Sequence, residues 1–317
     1  MIRVRGLTRR FAGKHGSVEA VRGVDLDVAA GELVGFLGPN GAGKTTTLRM
    51  LTTLLRPTSG QARVAGRDLL TDPDGVRRRI GYVAQSGTLA FDYPVREELE
   101  MQGRFYGLDR AKARSRCSEL LAELDLGELR DRQVATLSGG QRRRLDIAMG
   151  LVHSPELLFL DEPTTGLDPT SRAALWDRIR GLRDERGMTV FLSTHYLDEA
   201  DALCDRLLVI DNGVIVASGS PDELKRSVSG DAVTMTVHSG ASAAGQVADG
   251  IDGTSDVAVD GDVVRLRVRR GDEALPVLLN ALRDKDIELA SVTVKRPTLD
   301  DVFQSVTGRS LHGEVAA

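Results

Sequence analysis

The chain has 317 residues, more than one ordinary domain needs, and its 41% hydrophobic content suffices for a full core. A formal net charge of −4 gives no electrostatic case for nucleic acid as a partner. No run of about eighteen apolar residues occurs and Met1–Gly6 lacks the apolar stretch of a signal peptide, so any pore must come from another polypeptide. Cys117 and Cys204 stand at no metal-ligand spacing and are expected as reduced thiols buried in helical cores, which points to the cytosol.

Along the chain, Val24, Leu26 and Val28 alternate with Asp25 and Asp27, the pattern of a half-buried strand. Leu33 to Leu37 is a continuous apolar run, as in a strand buried on both faces of a mainly parallel sheet. Gly38-Pro39-Asn40-Gly41-Ala42-Gly43-Lys44-Thr45 leaves its end, and Thr46 to Leu55 continues as a helix. A short strand, Ile80 to Val83, precedes Gln85. From Pro94 to Val134, charged residues interleave with Leu99, Phe105, Leu120, Leu121, Leu124 and Leu126 at roughly helical spacing, which reads as a helical insertion, about 86–155, between halves of the sheet. Within it, Leu137-Ser138-Gly139-Gly140-Gln141 puts Ser138 at an N-cap position ahead of a helix. Leu157 to Leu160 and Met188 to Leu192 are two more buried strands, and Asn212-Gly213 marks a tight hairpin between Leu207–Ile210 and Val214–Val216.

The pattern restarts after a linker at Ser227 to Gly230. Strands over Ala232–Val237, Val257–Val259, Val263–Val268 and Ile287–Val294, with helices over Ser242–Gly250 and around Leu275 to Leu282, give the order β-α-β-β-α-β of a ferredoxin-like α+β unit. The first of those helices is poor in large apolar residues. The expected domains are 1–226 and 231–308, followed by a tail at 309–317.

The glycine-rich segment fits the G-x-x-x-x-G-K-[ST] phosphate loop in the strand-loop-helix context that such a loop needs. Backbone N–H groups from Gly38 to Thr45 can curl around a phosphate, and the next helix points its positive end at the same group. Lys44 then reaches the β- and γ-phosphates and the Thr45 hydroxyl is placed to ligate Mg²⁺. Asp161 and Glu162 end a buried strand, where a carboxylate is costly unless it meets a cation. Asp161 suits the magnesium shell and Glu162 suits a general base toward water. His195 follows the strand Met188 to Leu192 at the carboxyl edge, where ligands collect in open α/β sheets.

These segments, in this order over roughly residues 1–225, resemble the ATPase subunits of ATP-binding cassette (ABC) transporters. The resemblance makes Gly38 to Thr45, with Thr46, the Walker A loop. Gln85 becomes the Q-loop glutamine, touching ATP and magnesium. Ser138, Gly139, Gly140 and Gln141 form the signature sequence. Leu157 to Glu162 is Walker B, Thr165-Gly166-Leu167-Asp168 the D-loop, and His195 the switch histidine. Phe11 stands where the family places an adenine-stacking ring, and a core position fits it equally. The implied fold is a P-loop NTPase cassette with a mostly parallel sheet, an antiparallel β subdomain and a helical insertion, followed by the ferredoxin-like unit.

The same resemblance implies ATP as substrate with Mg²⁺, and a homodimer in which each signature sequence faces the partner's Walker A. It also implies a separate multispan permease docking near Gln85 and the stretch Ser86 to Tyr106, where Leu89, Phe91, Tyr93 and Tyr106 are core or interface. Arg142 to Ala148 and Pro297 to Phe303 are similar to daunorubicin-resistance-type ATPases, a branch associated with export of drugs, lipids or other hydrophobic compounds. Otherwise the arginine run is a solvated helix face, and Leu299, Val302 and Phe303 the packing face of a terminal helix. The expected location is the cytoplasmic face of a prokaryotic membrane. A soluble ABC ATPase of translation or DNA maintenance is the alternative, normally marked by two cassettes or a long coiled coil, and neither is present. A non-catalytic binding module is a third reading, opposed by intact Lys44, Asp161, Glu162 and His195.

Overall fold

A computed structural model describes residues 1–13, 16–87, 89–228 and 230–308. The expected tail at 309–317 and Ser229 of the expected linker lie outside the described residues. The chain divides into two compact units, Met1–Pro221 and the residues from Asp222 on.

The first unit is built on two sheets. The long strands β1 (Ile2–Gly13) and β2 (Gly16–Val28) pair antiparallel and extend through β4 (Ser59–Val64) and β5 (Arg67–Asp68), in the order β2-β1-β4-β5. The second sheet contains β3 (Leu33–Leu37), β6 (Ile80–Val83), β7 (Leu157–Asp161), β8 (Thr189–Thr194), β9 (Arg206–Asp211) and β10 (Val214–Gly219). Its order is β10-β9-β3-β8-β7-β6, parallel except for β10, which pairs antiparallel with β9. The Asn212-Gly213 turn joins those last two strands with φ of 47° and 79°, the left-handed pair that a two-residue hairpin demands.

β3 and β7 are buried at every residue, which is why their sequences run apolar without alternation. Phe191 on β8 meets Phe36 and Phe159 with ring centroids 5.6 and 5.7 Å away. These rings share one core with Val4, Leu7 and Leu26 of the antiparallel sheet. Leu48 and Leu51 of α1 (Lys44–Leu51) belong to it as well, so α1 is wedged between the sheets and its N-terminus is fixed. That helix ends four residues before the expected Leu55. Thr52 turns its hydroxyl back to the Leu48 carbonyl, and Thr53 takes φ of 66°.

After the short α2 (Pro73–Arg77) and β6, the insertion comprises α3 (Val95–Phe105), α4 (Arg110–Glu123) and α5 (Gly139–Leu151). Helices α6 (Pro169–Arg186) and α7 (Leu197–Leu203) flank β8 in sequence. Leu99, Leu120 and Leu124 are buried as their spacing implies, whereas Phe105 is 77% exposed. It is the last residue of α3 and lies on the helix face turned from that core. Both cysteines are buried free thiols; burial pushes Cys117 up to about 11.

In the second unit, α8 (Pro221–Ser227) leads to β11 (Asp231–Val237), α9 (Ala241–Asp249), β12 (Thr254–Asp260), β13 (Val263–Val268), α10 (Gly271–Arg283), β14 (Leu289–Lys295) and α11 (Leu299–Thr307). The sheet order β12-β13-β11-β14, antiparallel throughout, is that of a ferredoxin-like fold. Small residues on α9 have a purpose here. A Cβ on Gly245 would lie 2.6 Å from Val259 Cγ2, so Ala241, Ala244, Gly245 and Ala248 let the helix lie close against the sheet.

Candidate active site

The phosphate loop springs from the carboxyl end of β3. Two of its glycines are required by space and conformation. A Cβ on Gly38 would come 2.3 Å from the Ile210 carbonyl oxygen, and Gly43, at φ of 105°, would meet the Ala20 carbonyl at 2.6 Å. Gly43 is also the N-cap of α1, whose free N–H groups face the loop. Asn40 and Gly41 are exposed at the loop tip, Pro39, Thr45 and Thr46 half-buried, and Ala42 buried. Lys44 is 4% exposed and donates to the carbonyls of Gly38 at 2.7 Å and Pro39 at 3.0 Å. Burial draws its ammonium below the usual lysine range, and the nearby Glu162 and Asp161 offset this in part.

Across the sheet, β7 delivers Asp161 and Glu162, both buried. Asp161 Oδ1 accepts from Thr45 Oγ1 at 3.1 Å and from Ser193 Oγ at 2.6 Å. Glu162 sits at φ of 45°, a left-handed conformation that costs a non-glycine residue energy and is found at functional sites. Its backbone N–H is held by the carbonyl and the hydroxyl of Ser193, each at 3.1 Å.

Four side chains converge on its carboxylate. Gln85 Nε2 donates to Oε2 at 2.9 Å and Thr165 Oγ1 at 3.3 Å, while Lys44 Nζ lies 3.4 Å and His195 Nδ1 3.2 Å from Oε1. The histidine is close enough to pair electrostatically, yet its angle completes no hydrogen bond. Burial pushes the Glu162 carboxyl up, but His195 and Lys44 outweigh it, so the group is held below the usual glutamate range.

How this cluster is braced was not legible in the sequence. Arg143 is 7% exposed, not part of a solvated face, and its guanidinium donates to three carbonyls: Pro163 at 2.8 Å, Ala84 at 2.6 Å and Asp161 at 3.0 Å. Its neighbours in the run behave differently: Arg142 lies over the Phe91 ring and Arg144 pairs with Asp125. Ser193 is the other residue that reasoning from sequence missed. A small hydroxyl two residues before His195, at the end of an apolar strand, was its signal.

The remaining expected residues lie apart from this cluster. Ser138 caps α5 in a reciprocal box with Gln141: its hydroxyl accepts from Gln141 N at 3.3 Å, and Gln141 Oε1 accepts from Ser138 N at 2.9 Å. Ser138 and Gly139 are exposed and Gly140 half-buried. Ser138, Gly140 and Gln141 line a cleft of about 190 Å³ with Ser171 of α6, and none of Gly38 to Thr45 lines it. Asp168 caps α6 by accepting from Ser171 N at 2.9 Å. Phe11 is 38% exposed, which excludes the core reading, and Arg9 lies 4.6 Å from its ring centroid.

A bound nucleotide fits these residues. The two glycines leave a backbone-lined cradle that a Cβ would fill, and a buried ammonium points into it. Magnesium fits as well. Among the described residues no three His, Cys, Asp or Glu cluster as a protein cage, but Mg²⁺ in phosphate sites takes one or two protein oxygens together with water and phosphate. Thr45 and Asp161 are such a pair.

Comparison with known proteins agrees with this geometry. Residues 21–165 match the ABC transporter family, and residues 219–307 match the C-terminal domain of DrrA1-3-like ATP-binding proteins. The chain is 44% identical over 309 residues to the daunorubicin resistance ATP-binding protein DrrA3 of Streptomyces coeruleorubidus, covering 97% of this chain and 96% of the relative. It is 38% identical to the Nod factor export ATP-binding protein I of Paraburkholderia xenovorans, covering 94% and 95%. Among solved structures, the cassette MJ0796 in a post-hydrolysis dimer bound to ADP and Pi aligns with a TM-score of 0.64 and 26% identity, over 69% of this chain and 98% of that one. The fold and site thus define an ABC ATP-binding cassette, an ATPase that powers transport. Within that class, the chain belongs to the daunorubicin-resistance (DrrA-type) family of ATP-binding proteins. Its work is that of the ATPase subunit of an ABC exporter, and the alternative of translation or DNA maintenance is not favoured.

Proposed function

We propose that this chain binds ATP with Mg²⁺ and works as a two-fold homodimer at the cytoplasmic face of a prokaryotic membrane. It there drives a separate multispan permease that exports a drug, lipid or other hydrophobic compound. The observation that carries the catalytic part is the convergence of Lys44, Gln85, Thr165 and His195 on the single carboxylate of Glu162.

The roles in this reading are these. The amides of Gly38 to Thr46 and the N-terminus of α1 meet the phosphates, with Pro39, Asn40 and Ala42 shaping the loop. Lys44 exchanges its carbonyl partners for phosphate oxygens. Thr45, Asp161 and Gln85 would hold Mg²⁺, whose charge would help neutralise the phosphates. Glu162, kept ionised, accepts a proton from the attacking water as general base, and His195 steadies the charge that develops. Phe11 stacks on adenine.

The dimer reading is supported by the exposure of Ser138 and Gly139 and by the separation of their cleft from the chain's own phosphate loop. A second copy, related by an isologous two-fold, brings Ser138, Gly139, Gly140, Gln141 and Asp168 to the open side of the nucleotide. The permease reading rests on two features. No helix among the described residues is long and apolar enough to cross a membrane. Phe91, Tyr93, Phe105 and Tyr106, within the twenty-one residues that follow Gln85, are all at least 45% exposed. The cargo class is taken from relatives named for drug resistance and Nod factor export.

Magnesium-dependent ATP hydrolysis by the purified chain, beside Glu162→Gln and with co-purifying membrane proteins identified, tests the proposal. Turnover in the wild type, its loss in the variant and one co-purifying multispan protein are expected. Turnover with ribosomal or DNA-bound partners in place of a membrane protein would overturn the permease reading.

A further inference from the structure

The second unit has a cavity of about 340 Å³ at one end of its sheet, lined wholly by its own residues. Strand register gathers basic side chains there. Asp231 pairs with Val268 and Ala232 with Lys295, so Arg269 after β13 and Arg296 after β14 leave the sheet at the same end, beside the start of β11. Arg270 follows the first of these, and α8 adds Lys225 and Arg226 to the lining. The carboxylates around the cavity are already engaged. Asp231 accepts from Gly271 N at 2.7 Å, Asp272 pairs with Arg270 at 3.2 Å, and Asp222 pairs with Lys225 at 3.4 Å. Other arginines of the unit also have partners: Arg265 pairs with Asp260, Arg267 with Asp256, and Arg283 donates to Asn280. Arg226, Arg269 and Arg296 differ, for among the described residues no hydrogen bond or ion pair engages their side chains.

Three unpaired guanidiniums on one concave wall repel one another, and a cleft lined by one sign of charge focuses its field on an opposite ion. The guanidinium fork matches phosphate oxygens two at a time, so a phosphate among the three replaces repulsion with charge-assisted hydrogen bonds. The volume is that of a small-molecule site. We propose that the second unit carries an anion site for a phosphate-bearing ligand, held by Arg226, Arg269 and Arg296. None of Gly38 to Thr45 lines this cavity, so the site is additional to the phosphate loop and does not rest on the catalytic reading above. A soluble phosphate compound and a phospholipid headgroup present the same chemistry to it.

The test uses the full-length chain saturated with ADP and Mg²⁺, so that inorganic pyrophosphate reports on a site beyond the phosphate loop. Calorimetric titration should find such a site, and Arg226→Gln/Arg269→Gln/Arg296→Gln should weaken it about tenfold or more, since each change removes a charge-assisted partner. Arg265→Gln/Arg267→Gln/Arg283→Gln removes the same charge from arginines that already have partners, and should stay within about twofold of the wild type. Thermal unfolding of all three proteins checks that both variants fold. Sedimentation with phosphatidylcholine vesicles containing phosphatidylglycerol separates the two sources. Sedimentation that the cavity variant loses and pyrophosphate competes away assigns a lipid headgroup, whereas pyrophosphate binding without sedimentation assigns a soluble phosphate compound. If the ADP-loaded wild type binds neither pyrophosphate nor vesicles, or if the two variants lose binding equally, the proposal is wrong. Failure of ADP to bind would count against the phosphate-loop reading instead, and the contrast between the two variants would still decide this site.

Discussion

Arg143 Nη1 donates to the Ala84 carbonyl at 2.6 Å, joining the start of the second turn of α5, two residues past Gln141, to the residue before Gln85. The same guanidinium holds Asp161 and Pro163, so one buried cation braces the stretches that carry Gln85 and the two carboxylates at the end of β7. Replacing it with methionine fills similar volume but removes its hydrogen bonds to the buried carbonyls of Asp161 and Pro163 and to the half-buried one of Ala84. Arg143→Met should cost about 2–4 kcal/mol of unfolding free energy, measured by denaturant titration, and lower kcat as well. A stability loss below about 0.5 kcal/mol would contradict the bracing role.

Glu162→Gln should reduce steady-state hydrolysis by about 10²-fold or more while leaving nucleotide binding intact, since the amide keeps the shape but cannot take a proton. Turnover assays beside equilibrium binding of labelled ATP check this.

The same residue makes a pH prediction. The folded chain holds the Glu162 carboxyl below its ordinary value of 4.5. The folded state therefore binds this proton less readily than the unfolded state, and the stabilisation is fully present above about pH 4.5 and lost as pH falls through the lowered value. Chemical denaturation of wild type against Glu162→Gln across the acid range should show the wild type losing more stability toward low pH.

Phe11→Ala should weaken ATP binding by about tenfold, given roughly 1–3 kcal/mol for a base stacked on an aromatic ring. Because stacking reads the π-face rather than hydrogen-bonding edges, GTP should lose about as much. Unchanged affinity in a binding titration would remove Phe11 from the nucleotide site.

Phe191 anchors the aromatic contacts under the phosphate loop. Phe191→Ala should cost about 3–5 kcal/mol, the range for emptying a buried aromatic site. Differential denaturation of the full chain is the direct measure.

Much of this protein could be read before any coordinates. The apolar runs of β3 and β7 identified doubly buried strands because a strand covered on both faces has no polar side to show. Ser138 announced the start of α5 because an N-cap is a local bargain between one side chain and the backbone beside it. Where the reading fell short, the missing information was non-local. Nothing within a few residues of Phe105 distinguishes an apolar side chain at a helix end from one in the core. Nothing near Arg143 distinguishes it from Arg142, whose guanidinium stays at the surface.

What the sequence determined by itself was the chemistry: a phosphate cradle, a lysine, two carboxylates at a strand end and a histidine, each set by short-range backbone geometry and residue type. What the tertiary structure decided was their meeting. Glu162 lies 77 residues from Gln85 and 31 from the Ser193 that pins its backbone. Parallel pairing of β7 with β8 sets Asp161 beside Ser193 and closes that distance. Sheet register is a property of two strands and the core beneath them, and no single segment contains it.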